Sequence, residues 1–362
     1  MFLLLACSAS QEPPPLHDVV LVVVETWRAD RLKSWGSPQN TMPFVESLVA
    51  AGTLYERAWS PAPWTLPSVA SMMTGLWPHE TGVVRTEHAL SVEHTTLAEA
   101  MGARGYQTAF FGVNEVFTHD RGLDQGYERF EGHTGWSANR LLQELGTLER
   151  DGRPLFLHLH LFEPHCPYWA PRSHRFSLPV KGDERVSSEQ LAATVDCHRL
   201  PDGEDRLGAW FSRYDEELLA LDEQLERLLQ PYDQASVILV GDHGESFWEH
   251  GKVGHGTQLV EEVLHVPLVV RPPGGGRAHR VTEPISGREV YRLVLGTEPG
   301  SDVLAETSQV DPRACSVLHG EPTLCAAEPV EAPLVHLEGE HLRALEALGY
   351  EQVVPSTPTG EP

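Results

Sequence analysis

Apolar residues along the chain gather in short unbroken runs that end in polar or charged groups. "DVVLVVVE" (Asp18–Glu25), "FFGVN" (Phe110–Asn114), "PLFLHLHLFEPH" (Pro154–His165) and "ASVILVGDHGE" (Ala235–Glu245) all have this form. Such runs predict strands buried on both faces of a parallel sheet. Between them the apolar positions recur at helical spacing. "TMPFVESLVAAG" predicts a helix running up to Gly52, "TTLAEAMGARGYQTAFFGV" a helix followed by a strand, and "LGAWFSRYDEELLALDEQLERLLQ" a long amphipathic helix. "HVPLVVRPPG" predicts one more strand with a Pro-Gly stop. In "SPAPWTLPSVASMMTG" (Ser60–Gly75) Thr65 stands at an N-cap position, Pro67 suits the first turn and Gly75 suits the stop.

Strands alternating with helices predict an α/β fold with a large, mostly parallel mixed sheet flanked by helices. The catalytic body is expected over residues 18–276, with a polar, turn-rich insertion at about 173–206. Beyond residue 276 the pattern weakens, which predicts a small C-terminal subdomain over 277–350 whose last helix, "EGEHLRALEALGY", packs on the body, and a tail at 351–362.

Charge narrows the partners. With 52 Asp and Glu against 27 Lys and Arg, the formal net charge is −25, which opposes binding to a nucleic-acid backbone. It does not oppose a small anionic ester, because a bound cation can invert the field within one pocket. At the N-terminus, Phe2–Ala6 is far shorter than the about 20 apolar residues a spanning helix needs. "LLAC" resembles a bacterial lipoprotein box, which implies lipidation at Cys7, residues 1–17 as signal and tether, and an exported protein anchored at or lying in the periplasm. The other four cysteines (Cys166, Cys197, Cys315, Cys325) permit two disulfides, Cys315–Cys325 being the local pair.

Open α/β sheets bind ligands at the carboxyl ends of their strands. Glu25, His165, Asp242 and His243 all follow predicted strands, and Thr65 opens a helix. Two carboxylates and an imidazole suit one divalent cation, zinc or manganese before calcium. A threonine oxygen near such an ion becomes a nucleophile. Asn114, His250 and Lys252 are further substrate-binding candidates, the last two in the "EHGKVGHG" loop. Taken alone, Thr65 is more often a simple cap, and His158 and His160 on one strand are more often core residues. Glu245 in "DHGE" is expected to orient the loop rather than bind an ion.

Three long stretches, in order, change the weighting. "VVVETWRADRLKSWGSPQNTMPFVESLVAAGTLYERAWSPAPWTLPSVASMMTGLWPHETGV", "HLFEPHCPY" and "VGDHGESFWEHGKVGHGTQLVEEVLHVPLVV" resemble the sulfatase family of the alkaline phosphatase superfamily. The resemblance implies an alkaline phosphatase-like fold and ester hydrolysis. It also brings departures. In the family a Cys or Ser in C/S-x-P-x-R becomes formylglycine; the matching positions here are Thr65, Pro67 and Val69, so no formylglycine is expected. The usual paired aspartates after the first strand are Glu25 and Thr26. The set Glu25, Thr65, Asp242, His243 is similar instead to the metal site of the superfamily's phosphoethanolamine and phosphoglycerol transferases. That similarity implies a Thr65 nucleophile, with His165 and His255 contacting substrate and moving protons. Phosphate-type esters are favoured over sulfate, because a plain threonine ester of sulfate lacks the hemiacetal route of release. The implied substrate is a small anionic ester or a glycan or lipid headgroup. Two other readings stay open: a phospho-headgroup transferase, and a non-catalytic sulfatase-like binding protein.

Overall fold

The computed structural model describes residues 16–133, 138–168 and 205–300, three short strands at 305–307, 314–316 and 322–324, and residues 333–334. In chain order the first strands are β1 (Val19–Val24), β2 (Thr53–Tyr55), β3 (Ala58–Trp59), β4 (Gln107–Val113), β5 (Arg129–His133), β6 (Leu155–Leu161) and β7 (Ser236–Gly241). They are followed by β8 (Ser246–Phe247), β9 (Val253–Gly254), β10 (His265–Val266), β11 (Leu268–Arg271), β12 (His279–Val281) and β13 (Ile285–Ser286). Eight of these form one sheet in the order β12-β2-β11-β7-β1-β6-β4-β5. Within it β11 alone runs against its neighbours, pairing antiparallel with β7 and β2. The fold is the expected α/β fold with a large, mostly parallel sheet between helices.

The β-branched run of β1 is buried on both faces, and its residues divide by parity. Val19, Leu21 and Val23 enter one core, Val20, Val22 and Val24 the other, as the two-residue period of a strand requires. The second core is closed by the helix Asp205–Leu229, whose Tyr214, Leu218, Leu221, Leu225 and Leu228 recur every three or four residues along one face. Burying each such side chain fully is worth about 1.5–3 kcal/mol. Helix α1 (Pro43–Ala50) lies on the same side, and its first turn is held by Asp222 of the long helix. Helix α1 stops at Ala50 with Ala51 as its cap, two residues before the predicted Gly52.

Helix α2 (Thr65–Thr74) lies on the other side and is buried along its whole length. Its stop is the predicted Gly75, at φ 73°, a left-handed conformation that glycine adopts without steric cost. Its start differs from the expectation. Trp64 is the cap and makes no side-chain capping bond, while Thr65 is the first helical residue. The threonine hydroxyl is turned to other partners, described below.

The insertion at 173–206 lies outside the described residues except at its end, where the long helix has begun by Asp205. The C-terminal helix, the tail and Cys7 also lie outside them. Strands at Ala305–Thr307, Ala314–Ser316 and Pro322–Leu324 form a small antiparallel sheet, and Leu334 bridges to His88. Cys166 is disulfide-bonded; the Cys315–Cys325 pair cannot be followed because Cys325 is outside the described residues. Among those residues no helix is long and apolar enough to cross a membrane.

Candidate active site

Four adjacent parallel strands, β7, β1, β6 and β4, end at the same edge of the sheet. Asp242 and His243 follow β7, Glu25 follows β1, the Phe162–His165 turn follows β6 and Asn114 follows β4. The β1 register sets Val24 beside both Leu161 and Gly241, so Glu25 and Asp242 emerge side by side. The amino end of α2 brings Thr65 to the same place. Glu25, Thr65, Asp242 and His243 are each fully buried.

The histidines share a pattern. His243 Nδ1 lies 2.8 Å from the Gly244 carbonyl, so it carries the proton and donates. That leaves the Nε2 lone pair for the Thr65 hydroxyl, whose Oγ1 is 3.2 Å away. His165 spends its Nδ1 proton on the Cys166 carbonyl at 2.5 Å. His255 places Nδ1 3.1 Å from Glu245 Oε1. Each ring is therefore held through Nδ1, which fixes Nε2 as the working nitrogen. The His255 ring centroid is 4.4 Å from that of His243 and 5.1 Å from that of His165. Thr65, His165, His243 and His255 thus form one cluster.

The carboxylates are held asymmetrically. Asp242 Oδ1 accepts from the backbone N–H of His243 at 2.7 Å and of Thr26 at 3.2 Å. Glu25 Oε1 accepts from Asn114 Nδ2 at 2.7 Å and from His160 Nε2 at 2.9 Å. Asp242 Oδ2 and Glu25 Oε2 are buried and, among the described residues, accept no hydrogen bond. Burial pushes the Asp242 carboxyl up to about 7, against the backbone N–H of His243 and the nearby Thr65 hydroxyl, which favour its charge. Burial and then the Asp242 charge hold the Glu25 carboxyl well above the ordinary carboxylate range. His243 is pushed well below the usual histidine range, first by burial and then by the His255 charge.

Among the described residues no group of three or more His, Cys, Asp or Glu side chains is already arranged to hold a metal ion. The expected set is gathered but not closed on a common point. Its donor chemistry fits a divalent ion all the same. Two buried carboxylate oxygens without partners are costly unless a cation or protons compensate them, and a neutral imidazole nitrogen stands within 3.5 Å of Asp242 Oδ2.

Of the other expected residues, Asn114 lies at the site, and His250 and Lys252 lie away from it. Asn114 is buried and bonds Glu25, so its amide serves the carboxylate. His250 is half-exposed and pairs with Glu262 at 2.9 Å, and Lys252 is exposed. Both sit at the tip of the β8–β9 hairpin, whose base is the Glu245–His255 pair. Glu245 orients His255 as well as its own loop, and its carbonyl accepts from Arg28 at 2.9 Å. The bond from His160 to Glu25 was hidden in the sequence behind the strand pattern it shares with His158.

A sulfatase family model matches residues 17–297, more than three quarters of the chain. The chain belongs to the sulfatase family. It is 25% identical over 342 residues to the ulvan-active sulfatase of Formosa agariphila, covering 82% of this chain and 65% of that protein, so it spans about two thirds of that relative's length. Among solved structures it is similar to the phosphonate monoester hydrolase of Agrobacterium radiobacter, with a TM-score of 0.63, 21% identity and coverage of 78% and 74%. It is likewise similar to BT4656, solved in complex with its substrate D-glucosamine-2-N,6-O-disulfate, with a TM-score of 0.60, 15% identity and coverage of 82% and 80%. At these identities the structural likeness speaks for the shared fold. This sulfatase-family chain has ester-hydrolysing enzymes as its relatives, and such enzymes generally use a metal ion.

Proposed function

We propose that this sulfatase-family protein is a metal-dependent hydrolase of a phosphate-type ester and that Thr65, without formylglycine, is its nucleophile. The observation that carries the reading is the Thr65 hydroxyl, buried at the mouth of α2 and 3.2 Å from His243 Nε2, at the strand edge where Asp242 and Glu25 each keep a buried oxygen that accepts no hydrogen bond among the described residues. Glu25, Asp242, His243 and Thr65 are the residues that would hold the ion. A divalent ion held there would compensate the two carboxylates, make the threonine hydroxyl more acidic and offset charge on the phosphoryl oxygens. Thr65 Oγ attacks phosphorus as the ester P–O bond breaks; the hydroxyl proton passes to Nε2 of His165 or His255, which hands it to the leaving alkoxide. Water then attacks phosphorus on the opposite side, the P–Oγ bond breaks, and the histidine takes a proton from the water and returns it to Thr65 Oγ. The first turn of α2 adds backbone N–H groups that favour an anion there.

The test compares p-nitrophenyl phosphate, its phosphodiester and p-nitrophenyl sulfate with zinc- or manganese-loaded protein, alongside Thr65→Ala. Turnover of a phosphorus ester that vanishes in the variant is the expected result. Cleavage of the sulfate that depends on Thr65 would overturn the choice of phosphorus, and activity retained by Thr65→Ala would overturn the nucleophile. Export and lipidation at Cys7 belong to the same proposal, and the mass of the mature N-terminus tests them.

A further inference from the structure

We infer that His160 and Asn114 are positioning residues that clamp one oxygen of Glu25 and so present the other to the divalent ion. The inference rests on the reading of Glu25 as a ligand. Sheet register carries it. His160 lies beside Val23 of β1 and beside Gly112 of β4, so the side chain of Glu25 and that of Asn114, each two residues further along its strand, meet the imidazole at the strand ends. Both donors converge on Oε1, at 2.7 and 2.9 Å, and Oε2 accepts from neither. A carboxylate held this way keeps one oxygen fixed and one available.

The fold makes room for the clamp. A Cβ at Gly112 would stand 3.1 Å from His160 Cβ and closer still to the Phe110 ring. Phe117 packs edgewise on the His160 ring with centroids 4.5 Å apart, which limits its rotation. His158, two residues earlier on the same face of β6, spends Nδ1 on the Tyr127 hydroxyl at 2.8 Å. One strand face thus carries a core histidine and a site histidine. The site histidine uses Nε2 as a donor to Glu25, whereas the rings of the catalytic cluster keep Nε2 for chemistry.

The experiment measures binding of Zn2+ and Mn2+ to the metal-stripped full chain by calorimetry, for wild type, Glu25→Gln, Asn114→Ala, His160→Gln and His160→Asn. Unfolding of each metal-stripped protein is followed in parallel. The glutamine amide reaches the place of Nε2, and the asparagine amide does not. The clamp predicts affinity about 10–100-fold weaker in His160→Asn and Asn114→Ala, and restored toward wild type in His160→Gln. A core role alone would lower the unfolding midpoint in both His160 variants without sorting their affinities. Wild-type affinity in His160→Asn and Asn114→Ala, with binding lost in Glu25→Gln, overturns the clamp and leaves Glu25 a ligand. Failure of wild type to bind either ion overturns the ligand reading, and the clamp falls with it.

Discussion

Asp222 and Asp242 are both buried aspartates that receive two backbone N–H groups, and they differ in how those groups are shared. At the amino end of α1, Asp222 takes one N–H on each oxygen, Phe44 on Oδ2 at 2.8 Å and Val45 on Oδ1 at 2.9 Å. At the end of β7, Asp242 takes both on Oδ1 and leaves Oδ2 with no partner among the described residues. Burial raises both carboxyls, Asp222 to about 6 and Asp242 to about 7. The first arrangement completes a helix start and joins two helices. The second stores an uncompensated acceptor at the convergence of four strands. Full satisfaction marks structural work; half satisfaction, repeated in Glu25, marks a place where something else binds.

Substitutions sharpen that contrast, the largest effect first. Asp242→Asn and Thr65→Ala are expected to cut turnover by about 10³-fold or more, measured as kcat on the preferred ester. Neither is expected to cost much stability in the metal-free protein. Asp242→Asn removes a buried charge that lacks compensation, and Thr65→Ala gives up the hydroxyl's bond to His243, a loss of about 1 kcal/mol. Retained activity in either variant would erase the difference between the two aspartates. Glu245→Gln weakens the hold on His255 and is expected to lower kcat about tenfold to hundredfold, measured on the preferred ester.

Asp222→Ala is the mirror case. It strips both acceptors from the start of α1 and is expected to cost about 1–3 kcal/mol in denaturant unfolding, with kcat unchanged. A more gradual effect is the pH dependence of stability in metal-free protein. The folded state holds the Asp222 proton more tightly than the unfolded chain does. Its stabilising contribution is therefore present at low pH and is lost as pH rises from near 4 through about 6, with a slope of at most about 1.4 kcal/mol per pH unit. Asp242 adds the same sign up to about 7. Saturating metal is expected to flatten the Asp242 part, because the cation takes the proton's place, and to leave the Asp222 part, which Asp222→Ala removes. A metal-loaded protein whose stability profile is unchanged over this range would contradict the distinction.

The frame of the molecule was legible because its cause is local. Contiguous β-branched runs announce β1 and β7, and Tyr214, Leu218, Leu221, Leu225 and Leu228 announce the long helix by spacing alone. The reversal of β11 was not legible, because a four-residue apolar run reads alike in either direction. At the site, the residue types at the strand ends were visible, and their convergence followed from parallel architecture. What the chain hid was pairing across strands. Nothing near His160 in sequence distinguishes it from His158; the β1–β6 and β4–β6 registers send one to Glu25 and the other to Tyr127. Thr65 was placed one position early for a similar reason. Its hydroxyl faces His243, 178 residues away in the chain, rather than the amides of its own helix.

Acid-quenched protein caught during turnover of p-nitrophenyl phosphate, digested and sequenced by mass spectrometry, tests the central claim most directly. A phosphoryl group on Thr65, present with metal and absent after chelation, is the predicted result. Steady turnover with Thr65 never modified, or a phosphoryl group carried by another residue, would contradict it.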